Sequence, residues 1–128
     1  MELTFEEIRG RIGLKPFEEF EKTIRSLGFK SRTGKTTRLL LKAIELSQTE
    51  KVRIIGCSLA ISKHLTQIAK DMCQKIGIDD SNIDKPIYIV EGGSLNEQGE
   101  ENLFLDYQLS LQMENELKLR KFKLFYSS

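Results

Sequence analysis

Apolar residues return every third or fourth position over the first half of the chain, and that spacing predicts helices. Phe5, Ile8 and Ile12 follow the start of Thr4-Phe5-Glu6-Glu7, where the threonine side chain can accept from the third helical amide and Glu7 can reach back. A short helix is therefore expected from there to about Gly13. Phe17, Phe20, Ile24 and Leu27 form the stripe of a second helix, which opens at Lys15-Pro16-Phe17, where proline costs no hydrogen bond, and ends around Gly28. A polar turn over 29–37 then runs without pause into Arg38-Leu39-Leu40-Leu41-Lys42-Ala43-Ile44-Glu45-Leu46, read as loop into helix.

The pattern changes at Lys51-Val52-Arg53-Ile54-Ile55-Gly56-Cys57, a β-branched run closed by glycine that predicts a buried strand. A helix from about Leu59 to Ile76 follows, with Ile61, Leu65, Ile68, Met72 and Ile76 on one side and Gly77 as its stop. Asp79-Asp80-Ser81-Asn82 reads as a turn, and Pro86-Ile87-Tyr88-Ile89-Val90-Glu91 as a second strand ended by Gly92-Gly93. Strand, helix, strand in this order predicts a right-handed parallel crossover. Beyond residue 100 two periods coexist. Leu103, Leu105, Tyr107, Leu109, Leu111 and Met113 alternate as a strand would, while Leu105, Leu109, Met113 and Leu117 line up at helical spacing. Leu117-Lys118-Leu119 and Phe122-Lys123-Leu124-Phe125-Tyr126 suggest one more strand, folding back as a hairpin across Glu114-Asn115-Glu116, its lysines blunting an exposed edge.

With 128 residues, 39% hydrophobic and 30% charged, the composition is that of one globular domain. The expected fold is a small three-layer α/β domain with a short parallel sheet. Residues 1–28 form its helical N-terminal part, 29–113 its core, and 114–128 a C-terminal strand or arm. Lys and Arg number 20 against 19 Asp and Glu, so any binding of nucleic acid or an anionic surface must come from a local patch. No apolar stretch approaches a bilayer span, and Met1-Glu2-Leu3-Thr4 lacks a secretory layout, so a cytoplasmic protein without membrane contact is expected. Cys57 and Cys73 fall in segments that read as strand and helix, which predicts two buried, reduced thiols. A single histidine, His64, and no Cys-x-x-Cys pair speak against zinc, and His64 reads as a boundary residue beside an apolar stripe. No nucleophile carries the local signature of a hydrolase.

The segment with chemistry in it is Thr33-Gly34-Lys35-Thr36-Thr37, opening an apolar helix. Glycine lets the backbone approach an anion, and successive amides at a helix start point toward phosphate oxygens. Lysine supplies a mobile cation for β and γ phosphates, and the next hydroxyl can ligate Mg²⁺. Gly34-Lys35-Thr36-Thr37 resembles the second half of the Walker A loop of P-loop nucleoside triphosphatases. In the first half Phe29 stands where the family has glycine. Ser31-Arg32-Thr33-Gly34-Lys35-Thr36-Thr37 is similar to the degenerate loops of phage terminase motors and some helicases, one residue shorter between arginine and glycine. The resemblance covers Ser31 to about Leu46.

It implies a P-loop-like core that binds a nucleoside triphosphate, ATP with Mg²⁺, through Arg32, Thr33, Gly34, Lys35, Thr36 and Thr37. Lys35 would neutralise the β and γ oxygens and Thr36 would ligate the metal. The family's second acid, an aspartate after an apolar strand, is matched by Asp106 after Leu103-Phe104-Leu105, which makes Lys35 and Asp106 the catalytic candidates and Thr36 and Asp106 the metal-facing pair. Tyr107 follows where the family often has a water-polarising glutamate, so the implied hydrolysis is slow. If the period-two reading holds to residue 111, Asp106 lies in mid-strand and Glu91 takes its place. Likeness to phage motors further implies a viral or mobile-element setting, in the host cytoplasm, and a DNA-related task.

Other features feed two alternatives. Arg32, Lys35 and Arg38 cluster by the loop, within reach of a γ phosphate or a nucleic-acid backbone. The stretch Glu97 to Glu101 with Gly92-Gly93 before it reads as a mobile acidic loop or a lid over the nucleotide. Lys118, Arg120, Lys121 and Lys123 form a basic run. One alternative is a small non-enzymatic interaction or inhibitor module that binds no nucleotide and docks on a protein partner through the acidic loop and C-terminal hairpin. The other is a nucleic-acid-binding protein, for instance one that binds DNA, using the helical N-terminus and positions 118 to 123.

Overall fold

Three four-residue strands, β1 (Val52–Ile55), β2 (Asn102–Leu105) and β3 (Lys123–Tyr126), form a parallel sheet in the order β1-β2-β3. The structure is a computed structural model that describes residues 3–27, 34–89 and 101–127. Five helices accompany the sheet within those spans: α1 (Phe5–Ile12), α2 (Leu14–Ser26), α3 (Lys35–Ser47), α4 (Leu59–Ile76) and α5 (Leu111–Leu119). The α/β class and the short parallel sheet are as expected.

The sheet sorts its side chains by the period of two. Val52, Ile54 and Phe104 point into one core with buried residues of α1 to α4, among them Ile8, Leu40, Ile44, Leu65 and Met72. Ile55, Leu103 and Leu105 point into the other with Met113 and Leu117 of α5, Leu109, Ile89 and Phe122. Helices thus cover both faces, the usual condition of a parallel sheet. Three helices open on hydroxyl caps, the side chains of Thr4, Ser58 and Ser110 accepting from the third helical amides of α1, α4 and α5, and of these the Thr4 cap was expected. Gly77 ends α4 at φ +70°, and the Ile78 amide reaches back to the Cys73 carbonyl at 3.0 Å.

Three expectations fail. The segment 84–89 forms no strand. Pro86 offers no amide to a ladder, and the chain instead lays Ile87 and Ile89 against the α5-side core, leaving a single bridge from Ile83 to Val52. Val90 and Glu91, like Gly92 and Gly93, lie outside the described residues. Nor is there a C-terminal hairpin: Glu114-Asn115-Glu116 and Leu117-Lys118-Leu119 belong to α5, the crossover that makes β3 parallel to β2. The two competing periods past residue 100 turn out to be consecutive, strand to Leu105 and helix from Leu111, so a core boundary at 113 cuts through α5. Finally, Cys57 is exposed, because β1 stops two residues before it.

Cys73, by contrast, is fully buried, and burial, with smaller contributions from Asp80 and Asp79, pushes its thiol up to about 12. At pH 8 an aromatic disulfide reagent should therefore titrate Cys57 alone in the native protein and both thiols in urea. Two fast native thiols would contradict the packing of α4. Gly56 gives a second check. A Cβ there meets Ile61 Cγ2 at 2.5 Å and the Ser62 backbone nitrogen at 3.3 Å. Gly56→Ala should lower stability by about 1–3 kcal/mol in urea unfolding, as forced overpacking does.

Candidate functional site

Parallel register brings the carboxyl ends of all three strands to one edge, with Ile55, Leu105 and Tyr126 side by side. One residue past β2 stands Asp106, whose amide donates to the Ile55 carbonyl at 2.9 Å. It is therefore at the strand's end rather than in mid-strand. Its carboxylate accepts a 2.9 Å hydrogen bond from Thr36 Oγ1, a residue 70 positions earlier in the chain. Thr36 and Thr37 are buried in the first turn of α3.

The start of that helix is unusual for its surroundings. Gly34 is the N-cap, at φ +97° and ψ −31°, a conformation that L side chains rarely adopt. Its carbonyl accepts from the Arg38 amide at 2.9 Å and from Arg38 Nε at 3.2 Å. Among the described residues no side chain caps α3, and its first turn holds no acid but does hold the exposed Lys35. By helix geometry the amides from Gly34 to Thr37 have no intrahelical acceptor, and a cation beside them opposes the helix dipole by about 0.3–1 kcal/mol. Such an end favours an anion.

Between α3 and the α1–α2 pair lies an open hollow of about 290 Å³ that Gly34, Thr37 and Arg38 help to line. Phe5, Arg9, Phe17 and Glu21 form its other wall. The Arg9 guanidinium lies over the Phe17 ring, 4.7 Å from its centroid, and the Phe5 amide donates to the Glu45 carboxylate at 2.7 Å, tying α1 to α3. Sequence reasoning assigned Phe5 and Phe17 to the core and left Arg9 and Glu21 unremarked, since only the helix pairing brings them to the turn.

Of the predicted site residues, Gly34, Lys35, Thr36, Thr37 and Asp106 lie together at this edge. Arg32, Thr33 and Glu91 lie outside the described residues. Of the stretch Glu97 to Glu101, residues 97–100 lie outside the described residues, and Glu101 is buried at the opposite end of the sheet, where its carboxylate accepts from Arg53 Nε at 2.9 Å. Arg53 also donates to the Lys85 carbonyl at 2.9 Å and lies 3.8 Å from Asp84. Burial and then the neighbouring Asp84 raise the Glu101 carboxyl above its ordinary range, against the pull of Arg53. The basic run is at that end too, from the last turn of α5 through Lys121, at φ +68°, to Lys123, which sits 3.8 Å from Glu50. At the carboxyl edge, Tyr126 and Gln108 both donate to Glu114 Oε1, a carboxylate that sequence reasoning missed.

Among the described residues no group of three His, Cys, Asp or Glu side chains could hold a metal ion, and no helix is long and apolar enough to cross a membrane. No protein-family model matches the chain, and neither the curated proteins nor the solved structures hold a significant match to it.

The Thr36 contact can be measured in the free protein. Thr36→Val should cost about 1–3 kcal/mol in urea unfolding, because a buried carboxylate loses a donor, while Thr36→Ser should stay within about 1 kcal/mol of the wild type. In a double-mutant cycle with Asp106→Asn the two losses should fall short of additivity by more than about 0.5 kcal/mol. Simple additivity would show that the two side chains do not act on each other.

Proposed function

We propose that the chain binds a nucleoside triphosphate together with Mg²⁺ at the start of α3, as a divergent P-loop-like domain. The observation that carries this reading is the 2.9 Å hydrogen bond from Thr36 to Asp106. The hydroxyl spends its proton on the carboxylate, which leaves its oxygen lone pairs for a cation. One hydroxyl and one carboxylate are too few donors to cage a metal. They suit Mg²⁺, which keeps several waters and takes its remaining ligands from phosphate oxygens. Bound there, the ion supplies charge neutralisation along the triphosphate.

The other residues have matching roles. The amides from Gly34 to Thr37 would cradle phosphate oxygens, and glycine at the cap keeps Cβ atoms out of the anion's path. Lys35, exposed in the first turn, would place its ammonium against the β and γ oxygens. Asp106 would hold the ion's water shell through one oxygen while the other atoms of the turn stay fixed by Thr36. The site also lies where parallel α/β sheets commonly take their ligands, outside the carboxyl ends of the strands. Lys35 and Asp106 can stabilise charge in phosphoryl transfer, but Glu114 is committed to Tyr126 and Gln108, so hydrolysis is expected to be slow.

Calorimetric titration with Mg²⁺ and each of the four ribonucleoside triphosphates tests the reading. At least one should bind and raise the thermal midpoint, with stabilisation of about 2.7 kcal/mol at a hundredfold excess over Kd. Lys35→Ala and removal of Mg²⁺ by chelator should each abolish the shift. No heat from any of the four at millimolar concentration would overturn the proposal and leave the non-enzymatic interaction module standing.

A further inference from the structure

The phosphate turn has a hollow beside it, and the polar groups of that hollow bear on which base the nucleotide carries. Thr36, Leu40, Ala43 and Ile44 are buried in α3, while Gly34, Thr37, Arg38 and Leu41 line the cavity between α3 and the α1–α2 pair. At about 290 Å³ it shares Phe5, Arg9 and Phe17 with a second hollow of about 380 Å³. A heterocycle whose phosphates rest on Gly34 therefore has room next to them, between the apolar walls of Phe5, Phe17 and Leu41.

Three charged residues line the cavity: Arg38 on α3, whose Nε is given to the Gly34 carbonyl, and on the α1–α2 side Arg9 and Glu21. Arg9 is a planar donor, held flat by its contact with Phe17 at 4.7 Å. Glu21 is a half-buried acceptor, and among the described residues neither Arg9 nor any other side chain binds its carboxylate. A ligand that fits must offer acceptors to the one and donors to the other. Guanine does both, with O6 and N7 as acceptors and N1–H and N2–H₂ as adjacent donors. Adenine offers the carboxylate only its N6 amine, flanked by ring-nitrogen lone pairs that a carboxylate repels. Resting on the phosphate reading above, we propose that this cavity is the base subsite and that Arg9 and Glu21 make it prefer guanine over the adenine that the family resemblance implies.

The full-length chain is titrated calorimetrically with Mg²⁺ plus GTP, ATP or inorganic tripolyphosphate, as wild type and as Glu21→Gln. Wild type should bind GTP about tenfold more tightly than ATP, the worth of one good hydrogen bond to a charged group. Glu21→Gln keeps the side-chain volume but turns one acceptor into a donor. It should lose the GTP preference, gain or keep ATP, and bind tripolyphosphate as the wild type does, because the amide can pair with adenine's N6 and a ring nitrogen. Arg9→Ala, on an exposed position of α1, gives a second variant and should weaken GTP while sparing tripolyphosphate. Equal affinity for GTP and ATP, or a GTP preference unchanged in both variants, overturns the base subsite while tripolyphosphate binding keeps the phosphate turn. Absence of binding by all three ligands removes the phosphate reading itself, and this inference with it.

Discussion

The central strand β2 has parallel neighbours on both sides and helices on both faces, and the rest of the fold is arranged around that confinement. Leu103, Phe104 and Leu105 are all essentially buried, so the strand cannot slip by one residue without moving Leu103 and Leu105 into the core that holds Phe104. Parallel pairing then requires that each neighbour return by a crossover. The path from β1 back to β2 contains α4, and the path from β2 to β3 contains α5. The stacked rings of Phe104 and Phe125, 4.5 Å apart, lock the outer pair on the face opposite α5. From this register it follows that Asp106, the first residue past β2, stands at the carboxyl edge facing the start of α3.

The two ends of the sheet are built for different purposes. At the amino end Arg53 ties together the Lys85 carbonyl, Asp84 and the buried Glu101, in segments that regular pairing leaves loose. A buried cation with so many oxygen partners is costly to break, about 3–5 kcal/mol when one partner of such a pair is removed. It anchors the segment 84–89 in place of the missing strand. The carboxyl end instead collects a glycine at positive φ, an uncapped helix start and a lysine where the helix dipole disfavours it. The polar groups there include the bond between Thr36 and Asp106, the Arg38 contact to the Gly34 carbonyl and the pairing of Tyr126 and Gln108 with Glu114.

How much of this was legible in the sequence depended on whether the signal was local. Thr4 and Gly77 mark helix ends by hydrogen bonds within a few residues, and α1 begins and α4 ends where those signals put them. The pairing of Gly34-Lys35-Thr36 with Asp106 was also legible, since it needed only a helix start and an acid after an apolar strand, and the structure brings Thr36 and Asp106 within 2.9 Å. Longer-range features were not. Pro86-Ile87-Tyr88-Ile89 has the apolar alternation of a strand, but pairing is decided by what lies alongside, and β1 pairs with β2 instead. Likewise nothing local told that the alternation from Leu103 would break at Asp106, or that Glu101 would be drawn in by an arginine 48 positions away. Arg9 and Glu21 were invisible as site residues because each is an ordinary charged position on its own helix.

An uncapped helix start must be stabilised by something other than its own end, and α3 shows what. With glycine as the N-cap the missing hydroxyl costs about a few tenths of a kcal/mol, and a cation in the first turn up to about 1 kcal/mol. Against this, Leu39, Leu40, Leu41, Ala43 and Ile44 are all buried, and a fully buried leucine or isoleucine contributes about 1.5–3 kcal/mol apiece. Packing of the helix body therefore outweighs the defect at its end several times over. That margin lets α3 form with glycine at its cap and lysine at its first position, while the buried Thr36 still ties the turn to Asp106. Glycine at that position is thus no requirement of helix formation, since three of the other helices open on serine or threonine caps.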